Sequence, residues 1–134
     1  MAAASHPGSR RALAGAFVLC LLVAGIPFWR IPYSEVNVPD AFYGIGLLAV
    51  FAFAALLRAS GRAGFGKSLL IPGLVLPAVL MVRVIVEGVI DPTRHNLWPL
   101  VVVIVLVMGF AASGSGALVG WLLTPLWPWG PDRR

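Results

Sequence analysis

Four apolar runs occupy most of this chain, and three of them hold no Asp, Glu, Lys or Arg. They span approximately Ala12 to Trp29, Ala41 to Leu57, Ser68 to Ile90 and Leu97 to Leu123, close to the roughly 20 residues needed to cross a hydrocarbon core. A water-soluble helix requires a polar face, and these runs offer none, so a soluble fold is excluded. Backbone polar groups in lipid are satisfied only within helices or closed barrels, and no run alternates as a barrel strand does. The expected fold is therefore all-α, an integral membrane four-helix bundle built as a single domain over residues 1–134. The second run is short and the fourth long, which calls for tilt or local bilayer adjustment.

Composition agrees. Hydrophobic residues make up 60% and charged residues 11% of the chain, against about 45–50% and about 25% in soluble domains. The formal charge of +5 comes from basic residues beside apolar segments, so anionic lipid is the expected partner and nucleic acid is not. Cys20 is the single cysteine, which rules out an intrachain disulfide and a CxxC redox pair. The two histidines, His6 and His95, lie outside the spans and cannot ligate a haem from both sides. No cofactor and no metal are expected.

Orientation follows from the flanking charges, because short cytoplasmic loops are enriched in Lys and Arg. Arg10 and Arg11, then Arg58, Arg62 and Lys67, then Arg133 and Arg134 all fall on one side. Only Arg30 and Arg94 fall on the other. Tails 1–11 and 124–134 are thus expected in the cytoplasm, N-in and C-in, in a bacterial cytoplasmic membrane. Ser9-Arg10-Arg11 before an apolar run partly resembles a twin-arginine leader, with Val23-Ala24-Gly25 as a weak cleavage site. The run continues into Phe28, Trp29 and Arg30 as a membrane exit does, so an uncleaved first helix is expected.

The candidate site lies at the outer edge of the third span. Arg83, Glu87 and Asp91 stand four apart on one helix face and lead into Arg94, His95 and Asn96. Arg83 falls about 10 Å below the end of a helix that stops near Ile90. Two arrangements fit. Arg83 can snorkel to the headgroups with Glu87 and Asp91 as interfacial anchors, which is the cheaper of the two. Alternatively Arg83 and Glu87 face the interior, pair there, and floor a polar pocket to which the first outer loop adds Tyr33, Glu35, Asn37 and Asp40. Such a rim suits a headgroup, a carboxylate or a proton. His95 with Asp91 or Glu35 would form an acid–base pair, but no nucleophile motif accompanies them.

Two further motifs carry weaker signals. Gly61 to Ser68, GRAGFGKS, satisfies the letters of a phosphate-binding loop, yet it joins two membrane spans where the phosphate motif joins a strand to a helix. In the fourth span Ala112, Gly116 and Gly120 recur at four-residue spacing and form a helix-packing face, for a helix of this chain, a second copy or another subunit. Pro72 and Pro77 should bend the third span. In size and helix count the chain resembles small multidrug transporters, whose first helix carries a membrane-embedded glutamate, but here the first span has no carboxylate and Glu87 is the intramembrane glutamate. In outline it is also similar to the small four-helix subunit of tripartite tricarboxylate transporters. The leading expectation is a non-enzymatic accessory or assembly subunit. An oligomeric carrier using Glu87 ranks second, and an enzyme acting on a lipid-linked substrate third.

Overall fold

The computed structural model describes residues 7–35, 44–93 and 97–126, and all regular structure among them is helical. Helix α1 runs Pro7–Trp29 and is followed by a 3-10 turn, Tyr33–Glu35. Helix α2 runs Ile45–Ala59, α3 Phe65–Gly73, α4 Val75–Ile90 and α5 Trp98–Leu123, with a closing 3-10 turn at Thr124–Leu126. Three stretches are long and apolar enough to cross a membrane, namely α1 from Arg10, the combined α3–α4, and α5 with its closing turn. Helix α2 has 15 residues, about 22 Å at 1.5 Å per residue, and is shorter than the hydrocarbon core of about 30 Å.

The boundaries differ from the sequence reading in ways that have local causes. The second helix is described from Ile45, after Gly44 at φ 89°, a conformation that does not continue a helix, and Ala41 lies outside the described residues. It ends on Gly61 at φ 68°, whose N–H donates to the Arg58 carbonyl at 3.2 Å while the Ala63 N–H reaches the Leu57 carbonyl at 3.3 Å. This αL closure satisfies carbonyls that a helix end leaves open. The third span breaks where a bend was expected. Pro77 has no N–H for the Gly73 carbonyl, and α4 restarts one residue beyond α3, with the Ala78 N–H bonding Leu74 at 3.1 Å.

That break brings α5 close. A Cβ at Gly109 would meet the Gly73 carbonyl oxygen at 2.5 Å, and one at Gly73 would meet the Phe110 ring and the Ser113 hydroxyl. The carbonyl that proline deprives of its helical partner therefore points at the α5 backbone, where only glycine leaves room. Farther along, Gly116 lies against the Phe51 carbonyl and Gly120 against the Ala55 carbonyl, so the small face of α5 packs on α2 within the chain. Ala112 sits at the edge of the main core. The contact between these helices is thus a close backbone approach, of the kind small residues allow.

The main core gathers Cys20, Ala24 and Phe28 of α1, Val50 of α2, Val75, Leu76 and Val79 of α4, and Val105 of α5. A smaller cluster of Leu13, Leu57 and Ala63, with Ala16 and Ile71 against it, ties the start of α1 to the end of α2 and the start of α3. Helices α1 and α4 thus run parallel, with α2 antiparallel to both. Arg58, Arg62 and Lys67 gather at one end and Arg30, Glu35, Arg83, Glu87 and Asp91 at the other.

A Gly116→Ala change places a methyl group against the Phe51 carbonyl and should cost about 1–3 kcal/mol. Gly15→Ala meets nothing within 4 Å and should be neutral or slightly stabilising. Thermal unfolding of both variants in mild detergent checks the contrast.

Candidate functional site

Arg83 does not snorkel. Its residue is 8% exposed, on the interior face of α4, and the guanidinium turns toward the end of α1. Nη1 donates to the Phe28 carbonyl at 3.0 Å and Nη2 to the Ile31 carbonyl at 2.9 Å. Nε donates to Glu87 Oε1 at 2.7 Å, one turn farther along α4. The guanidinium carbon also lies 5.0 Å from the centroid of the Phe28 ring, within cation–π range.

The physical need for this arrangement begins with α1. A helix that ends inside a bundle leaves its last carbonyls without N–H partners, and an unpaired carbonyl away from water is costly. The Phe28 carbonyl, which also accepts the Ile31 N–H at 3.3 Å, and the Ile31 carbonyl just beyond the helix each receive an ionised donor. The cation also sits at the negative end of the α1 dipole, where positive charge is favoured. Arginine suits the task because its planar fork serves several acceptors at once, whereas lysine presents a single compact ammonium. Glu87 then balances the charge, with its side chain 23% exposed against 9% for Arg83.

Trp29 completes the junction. Its Nε1–H donates to the Val79 carbonyl of α4 at 3.2 Å, and its ring lies over Gly25, where a Cβ would come within 2.8 Å of the indole. Between Trp29 and α4 opens a cleft of about 290 Å³ lined by Trp29, Val82, Arg83, Val86 and Glu87. Two apolar walls, an indole and the carboxylate of an ion pair therefore face one space.

The remaining expected site residues distribute differently. Asp91 is drawn into the exit of α4, where Oδ1 accepts the Thr93 N–H at 3.2 Å and the Thr93 hydroxyl at 2.7 Å. This Asx-type turn ends the helix before Pro92–Thr93. Glu35 is exposed on the 3-10 turn that also contains Tyr33. Asn37, Asp40, Arg94, His95 and Asn96 lie outside the described residues. The structure thus brings Arg83 and Glu87 together and adds Phe28, Trp29 and Ile31, which sequence reasoning did not select. Their signal was the membrane exit at Trp29–Arg30, which implied a helix end with carbonyls to satisfy.

The phosphate-loop pattern fails on geometry as well as context. Ser68, which would have to reach a magnesium ion, is fully buried, and its hydroxyl has no hydrogen-bond partner among the described residues. Gly64 caps α3 in an extended conformation, φ −66° and ψ 169°, with Arg62 and Lys67 exposed on either side. Among the described residues no group of three or more His, Cys, Asp or Glu side chains is placed to hold a metal.

No protein-family model matches this chain, and neither the curated proteins nor the solved structures give a significant match.

Replacing Arg83 by Met should cost roughly 3–5 kcal/mol, because it removes the ion-pair partner of Glu87 together with the donors to the Phe28 and Ile31 carbonyls. Glu87→Gln keeps an acceptor for Nε at a half-buried position and should cost only about 1 kcal/mol. Denaturant titration in detergent micelles would give both values, and the ordering is the expected result.

Proposed function

We propose that this chain is a non-catalytic integral membrane protein that serves as an accessory or assembly subunit, inserted N-in and C-in in a bacterial cytoplasmic membrane. The observation that carries this reading is the outward face of α5. Leu100, Val103, Val107, Leu118 and Leu122 are all more than half exposed, so an apolar stripe follows the whole 26-residue helix. Ala111 and Ser115 lie in the middle of that stripe, both exposed, one turn apart. The Ser115 hydroxyl folds back onto the Ala111 and Ala112 carbonyls at 2.9 Å each, leaving a small and nearly apolar surface. A small pair of this kind lets a neighbouring membrane helix approach closely.

The orientation rests on charge. Seven Lys and Arg residues, at positions 10, 11, 58, 62, 67, 133 and 134, flank the inner end. Four of the five acidic residues, Glu35, Asp40, Glu87 and Asp91, belong to the outer end. A carrier that uses Glu87 is the second reading, favoured by the position of that carboxylate on the cleft wall. It ranks lower because Arg83 holds Glu87 at 2.7 Å while also fastening α1, so cycling the carboxylate would disturb a structural contact.

An accessory subunit should leave the membrane with a stoichiometric partner under mild detergent extraction. Ala111→Trp, exposed and remote from the core, should release that partner without lowering the melting temperature of the isolated chain. Extraction as a single-component monodisperse particle would contradict the assignment.

A further inference from the structure

The cleft beside Trp29 carries a ligand class in its electrostatics. Helix α1 ends at Trp29 and α4 ends at Ile90 on the same side of the molecule, and each C-terminus is equivalent to about half a negative charge. Glu87 offsets Arg83 within the pair, so the two helix ends add a weak negative potential beside it, with Arg30 exposed just beyond Trp29. The two ionised partners are not equally presented. Glu87 is the more exposed member, while the guanidinium is occupied by Phe28, Ile31 and Glu87 itself. The cleft therefore shows a ligand the paired Glu87 carboxylate and Arg83 guanidinium, with the carboxylate the more exposed of the two, an indole and two valine side chains.

Carboxylate and aromatic surface together recognise a cation carried on an apolar body. The ammonium is attracted by the charge and by the indole face, and both effects strengthen where water is scarce. A volume of about 290 Å³ falls at the small end for ligand pockets, of a size for a headgroup and not for a whole lipid. Its level matches too, since α1 leaves the apolar zone at Trp29 and Arg30 follows, exposed.

We propose that the cleft between Trp29 and the Arg83–Glu87 pair binds the primary ammonium headgroup of a zwitterionic phospholipid, phosphatidylethanolamine being the simplest case. Glu87 is the counter-ion, the Trp29 indole is the aromatic wall, and Val82 and Val86 contact the apolar part of the lipid. This rests on reading the outer rim as a binding surface and names its ligand. Lipid preference and partner retention are separate readouts, so either reading can fail alone.

The test is competitive lipid retention by the full chain, read by native mass spectrometry after extraction. The probes are phosphatidylethanolamine, its N-acetyl derivative, which keeps the phosphate and chains but lacks the ammonium, and phosphatidylglycerol. Phosphatidylethanolamine should be retained about tenfold more tightly than either competitor, as expected for a desolvated cation against an aromatic wall. Glu87→Gln should abolish the preference. Val86→Trp, which fills the cleft from a position that is 55% exposed and outside the ion pair, should do the same with the melting temperature unchanged. If Glu87→Gln does not fold, Val86→Trp decides. Equal retention of all three lipids by the unaltered chain, or a preference that survives cleft filling, overturns the proposal.

Discussion

The contact on which this bundle depends is the one between the Arg83 guanidinium and the carbonyls of Phe28 and Ile31 at the exit of α1. It joins elements separated by more than fifty residues, with the Phe28 and Ile31 oxygens both within 3.0 Å of guanidinium nitrogens. Without it, the Ile31 carbonyl would lose this donor, the Phe28 carbonyl would keep only the Ile31 N–H, and the negative end of α1 would lose its cation. Glu87 makes the solution tolerable by keeping the charge of the junction near balance. Trp29 adds an independent tie to the Val79 carbonyl one turn earlier on α4. The end of the bundle that carries Arg83 is thus held by hydrogen bonds to backbone, whereas the opposite end is held by apolar packing around Leu13, Leu57 and Ala63.

A second constraint works through absence of side chain. Pro77 interrupts the helical ladder at Gly73, and the carbonyl released there is met by Gly109 of α5, with Gly116 and Gly120 receiving α2 carbonyls farther along the same helix. Small residues let helix backbones approach closely, so contact area here comes from shape. The glycines of α5 provide that shape toward the interior. Its larger side chains, from Leu100 to Leu122, face outward. One helix therefore separates two kinds of surface, internal packing on the small side and an exposed apolar stripe on the large side.

Much of this was legible in the chain itself. Apolar runs located the helices because length and missing charge report membrane-scale segments directly, and the four-residue spacing of Arg83 and Glu87 put both on one helix face, with their pairing the second of two arrangements. The small face of α5 was visible from Ala112, Gly116 and Gly120, but its partner was not, since packing against α2 depends on geometry that spacing does not encode. The acceptors of Arg83 were hidden for a sharper reason. Backbone carbonyls carry no residue identity, so Phe28 and Ile31 looked like ordinary apolar positions. Snorkelling looked cheaper because the sequence displays the cost of burying an arginine but not the carbonyls at the exit of α1 that offset it. The break at Leu74 follows from Pro77, where local backbone chemistry overrides apolar continuity.

Carbon–nitrogen dipolar recoupling by solid-state NMR tests the central contact most directly. The protein would be labelled with ¹³C at the Phe28 and Ile31 carbonyls and with ¹⁵N at the arginine side chains, then reconstituted in bilayers. Close approach of Nη1 to the Phe28 oxygen and of Nη2 to the Ile31 oxygen predicts strong dephasing of both carbonyl signals, lost in Arg83→Met. Carbonyl signals that show no arginine coupling in the unaltered protein would place Arg83 elsewhere and contradict the account.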